Sequence, residues 1–198
     1  GAEKTLIKRV MGRQVPSGGL PADVGVVVDN ISTVKAISDA IRKGMPLIER
    51  VATVTGEKIK HPGNFVIKIG TSVKELIDYC GGFTDEDVLV KMGGPMMGFP
   101  LNTLEVPMMK GSNGIIAIDT DETKEQACIK CGRCVDVCPM ELSPLYFVKY
   151  ADQENWEGMR DMHVMDCVEC RCCQYICSSK ISIIDRIKAG KNAVRGMK

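Results

Sequence analysis

"CIKCGRCVDVCP" occupies residues 128–139 and places four cysteines within eleven residues, closed by a proline. A disulfide framework, a structural zinc site and an iron–sulfur cluster could each use such a run. Working outward, "CVECRCCQYIC" at 167–177 repeats the spacing. Cys128, Cys131, Cys134 and Cys138 follow C-x2-C-x2-C-x3-C-P; Cys167, Cys170, Cys173 and Cys177 follow it with Ser178 where the first run has Pro139. In runs of this kind the first three thiolates wrap one cubane and the fourth, too far along the chain, ligates the other cluster. Zinc needs four tetrahedral ligands, usually as two separated pairs. Disulfide proteins spread their cysteines to staple distant loops, whereas nine of the ten here lie between residues 128 and 177.

The spacing therefore predicts two [4Fe–4S] clusters. One would be held by Cys128, Cys131, Cys134 and Cys177, the other by Cys167, Cys170, Cys173 and Cys138. Cys172 competes with its neighbour, but only Cys173 keeps the spacing. Gly132 sits between ligands, where backbone must approach the sulfides closely. The 28 residues from Pro139 to Asp166 exceed what a minimal two-cluster ferredoxin needs, and they read as helix. The expectation is an α-helical ferredoxin domain rather than the small βαβ type.

The rest of the 198 residues, 44% apolar and 26% charged, can build one core or two small ones. A formal charge of +1 supplies no field for nucleic acid, and no such partner is expected. No apolar run approaches the roughly 18 residues needed to span a bilayer, and no signal peptide opens the chain. The start, "GAEKTLIKRV", lacks an initiator Met and enters an amphipathic helix directly. The chain reads as part of a longer one.

Three regions follow. Residues 1–50 read as helix, Pro/Gly loop, buried strand at "VGVVV" (24–28) and a helix from "DNIST" to Gly44, an α/β order. One stripe is Leu6, Ile7 and Val10; the other is Val34, Ile37 and Ile41. Residues 51–118 read as a hairpin ("RVATVTG", "NFVIKIG"), a helix capped by Ser72 with Glu75 in the capping-box position, the strand "DVLVKMGG", a long loop and a final strand "IIAI". Hairpin, helix, strand is the order of a β-grasp module. Residues 119–198 begin with a polar linker or helix start, "DTDETKEQA", carry the cysteine runs, and contain helices over 143–162 and from "ISIIDRIKAGK" onward. The fold class is α+β and multi-domain.

Other residues take plainer readings. Cys80 reads as a buried helix residue, His61 and His163 lack partners at ligand spacing, and Trp156 reads as a packing anchor. The twelve methionines read as filler, although "PMM" at 95–97 and 107–109 could line a contact. The basic tail (Lys180, Arg186, Lys188, Lys191, Arg195, Lys198) reads as a solvated helix end.

Together, "GAEKTLI", "GRQVPSGGLPADVGVVVDNISTVKAI", "PLIERVATVTGEKIKHPGNFVIKIGTSVKELIDYCGGF" and "CIKCGRCVDVCPMELSPLYF" resemble the C subunit of the Rnf-type ion-translocating ferredoxin:NAD oxidoreductases. That family is similar to the flavoprotein subunit of respiratory complex I. The resemblance implies the trailing part of an α/β flavin domain over 1–50, a β-grasp domain of the soluble-ligand-binding type over 51–118, and the ferredoxin domain over 119–198. It also implies FMN and NAD(H) in the full-length subunit, ferredoxin and other members of the complex as partners, and a peripheral place on the cytoplasmic side of the membrane. Glu3 resembles the family's acidic residue near the nicotinamide–flavin site, and Asn30 and Thr33 resemble its flavin contacts. Asp29 departs from the first Asn of that motif, and helix capping explains Asn30 and Thr33 equally well. The family's glycine-rich flavin loop is not among these residues, so this chain by itself is expected to be inactive with NADH and to hold FMN poorly.

Two further functions compete with electron transfer. The β-grasp region could bind a corrinoid or another small ligand for the clusters to reduce, as in cobalamin reductases. It could also be a purely structural spacer.

Overall fold

The computed structural model describes residues 2–120 and 124–197; part of the expected linker, residues 121–123, lies outside them. The chain forms two compact units, Asp29–Glu122 and Gly1–Val28 with Thr123–Lys198.

In the first unit, helix α2 (Ile31–Lys43) precedes strands β1 (Glu49–Thr55) and β2 (Gly63–Lys68), helix α3 (Val73–Tyr79), and strands β3 (Leu89–Met92), β4 (Phe99–Pro100) and β5 (Gly114–Ile118). The sheet order is β2-β1-β5-β3-β4. β1 runs parallel to β5, with Val54 opposite Ile115, while every other pair is antiparallel. A first and a last strand lying parallel in mid-sheet, with a helix across one face, is the β-grasp arrangement. Along β1, Ala52 and Val54 are buried and Val51 is exposed, so one face of the sheet meets the core. That core joins Ile67, Leu76, Ile77, Cys80, Met92, Met108 and Ile115, which makes Cys80 and Met108 packing residues.

α3 is fixed at its start by a reciprocal cap: the Glu75 amide donates to Ser72 Oγ at 3.1 Å, and the Ser72 amide donates to the Glu75 carboxylate at 3.3 Å. Lys58, after β1, reaches Asp85 at 2.8 Å and Asp119 at 2.6 Å, tying the loop before β3 to the end of β5. β4 falls within the segment expected to be one long loop; at two residues it is too short to show alternation. α2 begins at Asn30, whose side chain accepts from the Ser32 amide at 2.9 Å, and stops at the left-handed Gly44. Its expected stripe is not buried: Val34, Ile37 and Ile41 are all exposed.

The second unit begins with α1 (Glu3–Met11), closed by the left-handed Gly12. Of its expected stripe Ile7 is buried, whereas Leu6 and Val10 are exposed. The expected strand at 24–28 does not form: a 3-10 turn covers Pro21–Val24, extended coil follows, and Val27 is exposed. An apolar run becomes a strand only beside a hydrogen-bonding neighbour, and none of the five strands pairs with these residues.

The remaining helices are α4 (Arg133–Asp136), α5 (Pro144–Asp152), α6 (Trp156–Asp161), α7 (Cys172–Tyr175) and α8 (Ile183–Gly196). The single helix expected over 143–162 is two. Glu154 turns left-handed (φ 52°), and Asn155 starts α6 by accepting from the Gly158 amide at 2.9 Å. Phe147, Met159, Val164, Ile183, Ile184 and Ile187 fill the core between α5, α6 and α8. Lys8 of α1 pairs with Glu141 at 2.6 Å, and the Ser17 hydroxyl reaches Asp166 at 2.7 Å.

Gly56, just after β1, has φ +114°, and a β-carbon there would lie 1.9 Å from the Ala117 carbonyl oxygen of β5. Backbone cannot yield as a side chain does. Gly56→Ala is expected to destabilise the β-grasp unit by about 3 kcal/mol or more, against about 1 kcal/mol for Ser72→Ala, measured by chemical denaturation.

Candidate iron–sulfur site

Each cysteine run is a tight loop followed by one helical turn. In the first, Lys130 is left-handed (φ 56°) and its amide donates to Cys128 Sγ at 3.4 Å. Gly132, also left-handed (φ 78°), starts α4, which carries the chain from Cys134 to Cys138. The second run repeats this step by step. Glu169 is left-handed (φ 53°) and donates its amide to Cys167 Sγ at 3.4 Å. Arg171 (φ 64°) starts α7, which leads from Cys173 to Cys177. The correspondence continues past the cysteines: Glu141 matches Lys180, both left-handed, and Ser143 matches Ser182, the residues before α5 and α8. The ferredoxin half is an internal duplication, wider than the cysteine spacing alone suggests.

The two copies cross. One recess, enclosing about 410 Å³ partly open to solvent, is lined by Cys128, Cys131, Cys134 and Cys177, with Val148, Ile181 and Ile183 among its apolar walls. The other, about 330 Å³, is lined by Cys138, Cys167, Cys170 and Cys173, with Leu142, Phe147, Ile184 and Ile187. Each recess thus unites three cysteines of one run with the last of the other, the partition expected from the spacing. Cys172 does not line the second recess.

The thiols are also electrostatically joined. Burial first, then the neighbouring Cys128, Cys131 and Cys177 sulfurs, push the Cys134 thiol above its ordinary range. Burial raises Cys167 as well, and pushes Cys173 up to about 12, with Cys167, Cys170 and Cys138 adding to the shift. Four converging sulfurs cannot all carry charge without a cation among them, so loading with metal must release protons. No disulfide joins any of the ten cysteines.

The donor chemistry fits iron–sulfur clusters: all-thiolate sets, backbone N–H groups aimed at sulfur, and apolar walls. Among the described residues no three Cys, His, Asp or Glu side chains converge closely enough to grip one mononuclear ion.

The other expected site residues lie apart from these recesses. Glu3 opens α1 and is exposed; Asn30 caps α2, and the Thr33 amide donates to the Asn30 carbonyl at 2.8 Å. Lys191, read from sequence as part of a solvated tail, is buried. Its ammonium donates to the Cys167 carbonyl at 2.6 Å and to Glu169 at 2.7 Å. The signal was available, because Lys191 follows Ile184 and Ile187 on the apolar stripe of α8. Arg186 likewise binds Glu125 and Asp152, each at 2.7 Å, and this holds the segment before Cys128 against α5 and α8.

Cys172→Ser is expected to leave the iron content unchanged, and Cys173→Ser to lose one cluster, read by iron and sulfide analysis after anaerobic loading. The opposite pattern would make Cys172 the ligand.

Comparison with known proteins gives three family matches in chain order: the Nuo51 FMN-binding domain over residues 1–39, the SLBB domain over 51–100, and the 4Fe-4S dicluster domain over 127–181. The chain is 55% identical over 147 residues to the C subunit of the proton-translocating ferredoxin:NAD(+) oxidoreductase complex of Clostridium ljungdahlii, covering 73% of this chain and 32% of that protein. It is 42% identical over 197 residues to the C subunit of the Na(+)-translocating ferredoxin:NAD(+) oxidoreductase complex of Acetobacterium woodii, covering 98% and 44%. It is 45% identical over 168 residues to the C subunit of the ion-translocating oxidoreductase complex of Rhodobacter capsulatus, covering 83% and 32%. The chain spans between about a third and under half the length of these relatives. With its β-grasp sheet, its paired cysteine recesses and these matches, the chain belongs to the C-subunit family of the ion-translocating ferredoxin:NAD oxidoreductase complexes.

Proposed function

We propose that this chain is the electron-carrying part of such a protein, with Cys128, Cys131, Cys134 and Cys177 ligating one [4Fe–4S] cluster and Cys138, Cys167, Cys170 and Cys173 the other. The observation that carries this reading is the crossing of the two runs, which closes both four-thiol sets at once. A bound [4Fe–4S] cluster supplies one-electron storage and release. The protein's residues do the rest. The Lys130 and Glu169 amides donate to ligand sulfurs and so favour the thiolate form. Val148, Ile181 and Ile183 on one side, and Phe147, Ile184 and Ile187 on the other, keep water from the inner faces of the recesses.

In the longer protein, Glu3, Asn30 and Thr33 would contribute to an FMN site that exchanges electrons with NAD(H). The cysteine sets would pass those electrons singly to or from other members of the complex and ferredoxin. The names of the relatives favour this over the corrinoid-reducing alternative. No helix among the described residues is long and apolar enough to cross a membrane. Membership of the complex would place it at the cytoplasmic face of the membrane.

Anaerobic loading should give about eight irons and eight sulfides per chain, with visible absorbance bleached by dithionite. NADH should not bleach it, because residues 1–50 supply no glycine-rich turn at a helix N-terminus for flavin phosphate. About four irons, or zinc in their place, would overturn the cluster reading. Tight stoichiometric FMN with NADH-driven bleaching would overturn the assignment of the flavin site to the longer protein.

A further inference from the structure

The two cysteine sets are built alike but charged differently. On α8, Lys191 is 6% exposed, and its ammonium contacts the carbonyl of one ligand, Cys167, and the carboxylate of Glu169 in the same loop. The Glu169 amide in turn donates to Cys167 Sγ. One cation therefore grips the Cys167–Cys170 loop at two points. The Lys191 side chain is 8% exposed against 33% for Glu169, so water screens the carboxylate more than the ammonium. The pair leaves a net positive field on the protein side of the loop. Burying a lysine costs several kcal/mol even when paired, which sets this one apart from a chance surface contact.

The duplicated copy lacks the feature. The residue of α5 matching Lys191 is Asp152, half-exposed and paired with Arg186. The residue matching Glu169 is Lys130, which is exposed. Each recess also has one arginine at its wall, Arg133 or Arg171, so these cancel in the comparison. Among the described residues Lys191 is the one buried cation, and it stands beside the second set. Buried charge acts through a lower effective dielectric and is screened less by salt than exposed charge.

We propose that Lys191 is a positioning residue that holds the Cys167–Cys170 loop and makes the cluster on Cys138, Cys167, Cys170 and Cys173 the more easily reduced of the two. This rests on the cluster reading above. Reduction adds negative charge, net charge is one determinant of cluster potential, and a nearby buried cation favours the reduced state. The second set then serves as the electron reservoir of the pair, with the first at lower potential.

The test is a redox titration, followed by electron paramagnetic resonance, of the cluster-loaded full-length protein and its variants Lys191→Gln, Lys191→Arg and Glu169→Gln. Lys191→Gln is expected to lower the higher of the two potentials, cutting the reduced-to-oxidised ratio at the wild-type midpoint by about tenfold, or about 59 mV for one electron. Lys191→Arg should restore it. Glu169→Gln, which frees the cation of its partner, should move it upward, and the lower potential should stay in place throughout. A merely structural role would not produce opposite shifts from the two partners of one ion pair. If Lys191→Gln sheds its iron, the upward shift in Glu169→Gln carries the proposal, and an unmoved or lowered potential there overturns it. About eight irons with immobile potentials would sink the Lys191 proposal alone; about four irons in the wild type would sink the cluster reading with it.

Discussion

A short helical turn between the third and fourth cysteine of each run governs the ferredoxin half of this protein. From Cys134 to Cys138 the chain passes along α4, and from Cys173 to Cys177 along α7. Each turn carries its last cysteine out of its own recess and into the other. Each recess takes its fourth thiol from the other run. The two copies must therefore face each other, and α5 and α8 must each line both recesses. The core of Phe147, Ile184 and Ile187 lies where that constraint puts it.

The polar contacts of this unit serve the same end. Arg186 reaches from α8 to Glu125 and to Asp152 of α5, which fixes the approach to Cys128. Lys191 does the corresponding work for the loop that begins at Cys167. Ser17 and Lys8 bind Asp166 and Glu141, residues flanking the cysteine runs, so polar contacts tie the N-terminal segment to the cysteine scaffold. Ile7 is the one side chain of α1 that is fully buried.

Much of this was legible in the sequence because the rules involved are local. Cysteine spacing is a statement about loop geometry, and it implied the two crossed sets. The Ser72–Glu75 box, Gly12 and Gly44 marked helix ends through backbone chemistry that needs no tertiary partner. The misreadings share a cause. The run at 24–28, the stripe of α2 and the outer face of α1 look buried because they are apolar, yet burial depends on what packs against them. Lys191 is the converse case: its charge suggests solvent, while its place on the Ile184–Ile187 stripe puts it inside. The break at Glu154 had a readable signal in Asn155, a good N-cap that uniform helical composition obscured. β4 is too short to leave one.

The β-grasp unit is held by a different logic. There a parallel β1–β5 pair needs close backbone approach at Gly56, and Lys58 closes the far end. Cys80 and Met108 are filler in its core, while the proposed electron transfer resides in the crossed cysteines. The most direct test of that crossing is the iron content of a chain in which Cys128, Cys131, Cys134 and Cys177 are all replaced by alanine. If Cys177 belongs to the first set, one cluster is removed cleanly and about four irons remain on Cys138, Cys167, Cys170 and Cys173. If Cys177 instead completes the set of its own run, both sets are broken and no stable cluster survives, which would contradict the account.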